Sequence, residues 1–249
     1  MFGRVMKRVS ERVKLAMCEK QAGYCTICEK DVRFLKLDPW LRDHYLCRGC
    51  GSIPRFRAMV KVLNEQFPDW RNMTIHESSP GGASSEKISR ECRGYVASQF
   101  FADVPRGQMK GAQRSEDLEQ LTFEDASFDL TVTQDVFEHV LRPERAFEEI
   151  ARTLKPGGAH VFTVPWYRGK KTVVRARADG KGGVEHLLKP DYHGNPIDPS
   201  GSLVITEWGD ELCDFILRES GMKTEILSFF EPAFGLEGKF LDVMISRRA

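Results

Sequence analysis

Apolar residues recur along this chain at two spacings. In residues 4–18, Val5, Val9, Val13 and Ala16 fall at helical intervals among basic residues and predict a short amphipathic helix. Arg55 to Leu63 predicts a second helix, ending near Pro68 and joining the N-terminal segment to the longer C-terminal one. From residue 73 onward, short apolar runs alternate with helical patterns. Met73–Glu77, Tyr95–Ser98, Ser127–Thr133 and Ala159–Pro165 read as strands. Between them lie a helix from Ser84 onward and another through Ala146, Phe147, Ile150, Ala151 and Leu154. The latter is expected to stop at Lys155-Pro156-Gly157-Gly158, with glycine supplying a left-handed end. Trp208 to Ser220 is a further helix ending at Gly221, and Thr224–Phe230 and Phe240–Ser246 read as the last two strands. Alternation of this kind predicts an α/β fold built on a parallel sheet covered on both faces.

The 249 residues, 41% of them hydrophobic and 29% charged, suffice for a sizeable core. No apolar run approaches the roughly 18–20 residues of a membrane span. Arg4, Lys7, Arg8, Glu11, Arg12 and Lys14 break up any apolar stretch that could serve as a signal peptide, so a cytoplasmic protein is expected. The net charge of +1 conceals an imbalance. Residues 1–61 carry 14 Lys and Arg against 6 Asp and Glu, which leaves the remainder acidic. A basic head on an acidic body predicts two units, the head being the one suited to an anionic partner or else a solvated basic surface.

Cysteine spacing sharpens that division. Cys25-Thr26-Ile27-Cys28 and Cys47-Arg48-Gly49-Cys50 are two Cys-x-x-Cys knuckles 18 residues apart, a zinc-site pattern. Four thiolates fill a tetrahedron and leave no open position, so the Zn2+ expected here is structural. Val32, Phe34, Leu35, Leu37 and Trp40 supply the small apolar cluster of a zinc ribbon. The expected organisation is a basic helix in residues 1–20, a four-cysteine zinc module with its joining helix in 21–68, and an α/β domain in 69–249. That domain carries an insertion at about 166–207. Arg55 and Arg57, just beyond the second knuckle, lie either within reach of an anion or on a solvated helix face.

Ser78-Ser79-Pro80-Gly81-Gly82 follows the first strand of the α/β unit and precedes a helix, a place where a ligand can approach bare backbone and a positive helix end. With this turn in front, residues 114–165 resemble the class I S-adenosylmethionine-dependent methyltransferases, specifically the broad small-molecule group. Four features carry the likeness: the Asp117-Leu118 loop, the strand through Thr133, the Glu138-His139 pair, and Leu154-Lys155-Pro156-Gly157-Gly158 leading into the next strand. The resemblance implies a Rossmann-like sheet finishing in an antiparallel hairpin, with S-adenosyl-L-methionine as cofactor. It implies cofactor contacts from Glu77, from Ser79, Pro80, Gly81 and Gly82, from Asp117 and the Leu118 amide toward adenine, and from Gln134 and Asp135 at the fourth strand's end. Ser98 and Gln99 stand where the family places a ribose-gripping acid, and Ser79 and Ala83 where its loop often has glycine.

Methyl transfer from a sulfonium is an in-line displacement, demanding chiefly positioning and exclusion of water. Residues 166–207 are long for a plain connection, and Thr172–Ala178 and Val184–Leu188 predict a hairpin within them. In the family such insertions shape the acceptor pocket, which makes His186, Tyr192 and His193 candidate acceptor-side residues. His139 is a further candidate proton acceptor. The expected acceptor is a small molecule, a sugar or secondary metabolite, methylated at oxygen or nitrogen. An RNA acceptor met by the basic zinc head is the alternative, and a catalytically silent docking protein is a third reading.

Overall fold

A computed structural model describes residues 19–195 and 198–249. The helix expected over residues 4–18 lies outside the described residues. Three antiparallel strands, β1 (Glu19–Cys25), β2 (Lys30–Lys36) and β3 (Tyr45–Cys47), form the cysteine module, with the short helix α1 (Leu41–His44) between the last two. Helix α2 (Pro54–Gln66) comes next, its first turn set by Pro54, whose fixed φ suits a helix start.

The body begins with β4 (Thr74–Ser78), β5 (Gly94–Gln99), β6 (Met109–Lys110), β7 (Gln113–Ser115), β8 (Phe128–Gln134) and β9 (Leu154–Thr163). The insertion then contributes three short antiparallel pairs: β10 (Val173–Val174) with β15 (Thr206–Glu207), β11 (Ala176–Ala178) with β12 (Val184–His186), and β13 (Tyr192–His193) with β14 (Ser202–Leu203). β16 (Lys223–Leu227) and β17 (Val243–Arg247) close the chain. The central sheet has eight strands in the spatial order β16-β17-β9-β8-β4-β5-β7-β6. β7, β5, β4, β8 and β9 are parallel, while β16 and β17 form an antiparallel hairpin whose inner strand also runs antiparallel to β9. The chain winds one way from β4 through β5 to β7 and then returns to β8 on the other side of β4, so the strand order reverses beside β4. That reversal opens a crevice at the carboxyl ends of β4 and β8.

Alternation along the central strands divides the core. Val161 and Ile245 point to one face, with Ile75, Leu130, Val132 and the α2 residues Ala58, Met59, Val62 and Leu63. Helix α3 (Gly82–Glu91) adds Ile88 to this face. Phe162 and Met244 point to the other, under helices α4 (Pro143–Thr153) and α5 (Leu212–Ser220), with Phe147, Ile150, Leu212 and Ile216. Among the described residues, no helix is long and apolar enough to cross a membrane.

Several boundaries differ from expectation. The last two strands are Lys223–Leu227 and Val243–Arg247. In the insertion, only Ala176–Ala178 of the expected Thr172–Ala178 strand pairs with Val184–His186. Two helix ends also shift. Helix α4 ends at Thr153, and β9 already begins at Leu154, so Lys155-Pro156-Gly157-Gly158 lies in the strand and is not a helix cap. Pro156 disfavours helical geometry at Lys155 and turns the chain extended one residue earlier. The extra length is absorbed by a register shift, with Phe128 opposite Leu154 but Leu130 opposite Ala159. Helix α5 starts at Leu212, later than Trp208, because Trp208 is buried in the core and donates its indole N–H to the Phe137 carbonyl.

Two histidines sit in the middle of the sheet. His76 Nε2 meets Ser98 Oγ at 2.7 Å and His160 Nε2 meets Thr133 Oγ1 at 2.9 Å, both rings fully buried. Burial holds each imidazolium down, to a pKa of about 3. The folded protein therefore keeps both rings neutral, whereas the unfolded chain protonates them below about 6.5. The unfolded state binds more protons as pH falls from 6.5 toward 3, so stability is complete above that window and is lost within it. By pH 5 the two rings are expected to have cost about 2 kcal/mol each. Thermal melts from pH 7 to 5 on the wild type and a His160→Gln variant check this, the variant showing the shallower decline. Equal declines would show that His160 carries no such linkage.

Candidate active site

The first strand's end is built around a buried carboxylate. Glu77 on β4 accepts hydrogen bonds from Ser85 Oγ (2.6 Å), Tyr95 Oη (2.8 Å) and Gln134 Nε2 (3.1 Å), and is 1% exposed. Burial pushes its pKa up, and the three donors pull it back. Gln134 turns its other end to Ser84 Oγ at 2.9 Å, while Ser85 Oγ accepts the Gly81 amide at 2.9 Å. Glu77 and Gln134 thus fix the first turn of α3 and the glycine loop ahead of it.

The loop itself is held open. Ser79 adopts φ 56°, a left-handed conformation that costs a non-glycine residue about 1–2 kcal/mol, and its amide is anchored on the Ser98 carbonyl at 2.8 Å. Gly82 has φ 75°, and a Cβ there would fall 2.2 Å from the Phe56 ring of α2. Pro80 is half-buried, and Gly81 and Gly82 are exposed. At the end of β5, Ser98 is buried with its hydroxyl taken by His76, so the half-buried Gln99 is the residue there that can face a ligand. Beyond β7, Asp117 Oδ1 accepts the Glu119 amide at 2.9 Å in a local turn, and the Leu118 side chain is buried.

Asp135 follows β8 with φ 53°, and Thr163 supports it: its carbonyl accepts the Asp135 amide and its hydroxyl donates to Oδ1 at 3.0 Å. Two arginines of the cysteine module converge on Oδ2. Arg42 of α1 lies 2.6 Å away and Arg55 of α2 3.4 Å away, with Arg55 also paired to Asp43. Burial acts to raise the Asp135 pKa, but the Arg42 and then the Arg55 guanidinium hold it below the ordinary carboxylate range. Arg55 is thus neither free for an anion nor on a solvated face.

Arg57 is wholly buried. Its guanidinium donates to the Ser52, Tyr45 and Gly235 carbonyls and stacks 4.6 Å over Phe34, with burial lowering its pKa to about 10. The sequence offered a solvated face or an anion contact. The position instead ties the cysteine module to the loop before β17.

The four cysteines come together at the ends of β1 and β3. Cys25 and Cys50 Sγ are 3.9 Å apart, Cys28 and Cys47 Sγ 3.7 Å, and all four sulfurs lie within 4.8 Å of one another. A tetrahedron with Zn–S near 2.3 Å has edges of about 3.8 Å. The Cys28 amide points at Cys25 Sγ (3.4 Å) and the Gly49 amide at Cys47 Sγ (3.3 Å), donors that stabilise thiolates. Gly49 permits the second knuckle, since a Cβ there would lie 3.0 Å from Cys28 Sγ. The donor set and its spacing fit zinc.

The acceptor-side candidates divide. The β11–β12 hairpin leaves His186 exposed, and it is not part of the cluster that His139 and His193 form with Glu138. On β13, paired with β14, Tyr192 is 54% exposed. His193 instead meets His139, their ring centroids 5.1 Å apart. Between them lies the side chain of Glu138, 2% exposed, with Oε1 3.8 Å from His139 Nε2 and 3.7 Å from His193 Nδ1. Arg42 carries no sequence signal that would have singled it out for the site. For Glu138 the one available signal was its place beside His139.

Residues 82–162 match the family model for a methyltransferase domain. Over 131 residues the chain is 28% identical to a demethylmenaquinone methyltransferase of Clavibacter sepedonicus, 45% of this chain aligning with 53% of that one. The chain therefore spans about half the length of this curated relative. Among solved structures, an amino pentose methyltransferase of Micromonospora echinaspora superposes with a TM-score of 0.51 at 11% identity, over 80% of this chain and 93% of that one. This is the class I methyltransferase fold. Within it, β4 and β8 flank the crevice, the glycine turn comes after β4, and Asp135 stands at the tip of β8.

One consequence of the methyltransferase fold's union with the cysteine module can be measured. Asp135→Asn keeps a side chain that tolerates left-handed backbone but leaves Arg42 and Arg55 without their shared carboxylate. Urea unfolding is expected to show a loss of about 3 kcal/mol. Arg42→Met alone is expected to cost a similar amount, and the double variant less than the sum of the two. Additive losses would mean the pair is not coupled.

Proposed function

We propose that this chain is an S-adenosylmethionine-dependent methyltransferase acting on oxygen or nitrogen of a small molecule, with Cys25, Cys28, Cys47 and Cys50 holding a structural zinc ion. The observation carrying this reading is the match of residues 82–162 to a methyltransferase domain, on a sheet whose glycine turn opens at the reversal of strand order. The demethylmenaquinone methyltransferase and the amino pentose methyltransferase named above support a small acceptor. Arg42 and Arg55 are paired to Asp135, Lys36 to Glu237 and Lys61 to Glu231, so part of the head's basic charge is taken up by acids of the body, while Lys20, Lys30, Arg33 and Arg48 stay exposed.

When bound, S-adenosylmethionine supplies a methyl group activated by a sulfonium. The protein's part is placement. Glu77 and Gln134 lock the glycine turn so that the amides and open surface of Ser79 to Gly82 receive the methionyl end. Gln99 takes the ribose side, and Asp117 with the Leu118 amide takes the adenine edge. Residues 166–207, carrying His193, cover the acceptor side and exclude water from the displacement.

Calorimetric titration with S-adenosylhomocysteine tests the reading without knowledge of the acceptor. Binding at micromolar affinity or tighter is expected, with a loss of at least tenfold in Asp117→Ala. Absence of binding by folded, zinc-loaded protein would overturn the assignment. For the cysteine cluster, one equivalent of zinc is expected by elemental analysis, together with its loss and a lower melting temperature in Cys47→Ser. Unchanged zinc content and melting in that variant would remove the metal from the account.

A further inference from the structure

Glu138 poses a problem that the methyltransferase reading leaves unsolved. Its carboxylate is 2% exposed, and neither oxygen has a hydrogen-bond partner. An unpaired buried carboxylate is costly, and native structures compensate one with a proton, a cation or a metal. Arg42, the nearby guanidinium, is committed to Asp135 and to the Phe240 carbonyl. One of the two bare oxygens, Oε1, is faced by a pair of imidazoles, His139 Nε2 at 3.8 Å and His193 Nδ1 at 3.7 Å. These distances are too long for hydrogen bonds, and the three donor atoms lie within 4.8 Å of one another.

The histidine tautomer is fixed on one side. His139 Nδ1 lies 2.8 Å from the Leu203 carbonyl, an acceptor only, so Nδ1 carries the proton and Nε2 turns a lone pair toward Glu138. A backbone carbonyl on the far nitrogen is the usual orienting partner of a metal-bound histidine. The backbone around Glu138 is also held, its carbonyl accepting the Ile205 and Thr206 amides at 2.7 and 3.1 Å. The two chain segments that meet here are the end of β8 and the insertion, and β14 brings Leu203 and, through its pairing, His193 to the same place. His193 remains 40% exposed, so the cluster opens to solvent.

We propose that Glu138, His139 and His193 bind a divalent first-row transition-metal ion. Two imidazoles and one carboxylate favour Mn2+, Fe2+, Co2+ or Zn2+ over Mg2+ or Ca2+, which prefer all-oxygen shells. Three protein ligands leave coordination positions open, unlike the closed set of the four cysteines. Those positions lie beside the crevice and suit a hydroxyl or carbonyl oxygen of the acceptor, which the metal would orient and acidify. The metal site stands on the geometry alone; its role toward the acceptor rests on the methyltransferase reading.

Mn2+ separates this site from the cysteine cluster, because it binds more weakly than zinc and does not displace zinc from thiolates. Full-length, zinc-loaded protein is titrated with Mn2+ and free ion is counted by electron paramagnetic resonance. One bound equivalent is expected for the wild type, weakened at least tenfold in Glu138→Gln and in His193→Ala. Without added metal, Glu138→Gln is expected to melt no lower than the wild type, because the substitution removes an unpaired buried charge. Its affinity for S-adenosylhomocysteine is expected to stay within about threefold of wild type, a margin under 1 kcal/mol. No Mn2+ binding by the wild type, or equal binding by Glu138→Gln, overturns the metal site. Mn2+ binding without S-adenosylhomocysteine binding upholds the site and overturns the methyltransferase reading instead.

Discussion

A guanidinium with no access to water holds this protein together. Arg57 lies on α2, a helix that faces both the cysteine module and the sheet, and it directs its donors to carbonyls from each side: Ser52 and Tyr45 near the knuckles, Gly235 before the last strand. Burying such a charge is tolerable only with that many acceptors and aromatic faces around it. The thiolates close by are a further source of compensation, since the electrostatic influence of Cys25 and Cys47 favours its charged form. Arg57 is the buried positive group beneath the four cysteines. Cysteine cluster, helix and sheet edge are thus parts of one electrostatic arrangement.

The module also reaches the crevice by a second route. Its short helix α1 presents Arg42, and the first turn of α2 presents Arg55 and Phe56. The arginines grip Asp135, and the phenyl ring lies where a side chain on Gly82 would have to go. The four-cysteine unit therefore forms a wall of the crevice. Glycine turn, β8 tip and cysteine module share residues in contact, so the geometry of each constrains the others.

Much of this was legible in the sequence because it depends on local pattern. The alternation of strands and helices from residue 73 onward, the two knuckles, the glycine turn and the closing pair of strands follow from periodicity and spacing. The misplaced end of α4 has an equally local cause, for Pro156 was visible but its effect on Lys155 was assigned to a helix cap instead of a strand. Long-range pairings were beyond reach. Nothing near Arg42, Arg55 or Arg57 announces partners about 90 or 180 residues away. The basic head reads as a surface for anions, yet Lys36, Arg42, Arg55 and Lys61 are turned to acids of the body. Glu138 is visible in the sequence only as half of the Glu138-His139 pair, since its meeting with His193 arises when the insertion folds back to it.

Helix α2 has a consequence for how such a protein can change over evolutionary time. Val60 faces the cysteine module, while Ala58, Met59, Val62 and Leu63 fill the sheet's first face. The two units are not beads on a string that recombination can exchange at a linker. A gene fusion breaking the chain near residue 68 would strip the sheet of one covering helix and leave the module's arginines without their carboxylate. A change that exchanged one unit would therefore have to carry the residues of this joint with it.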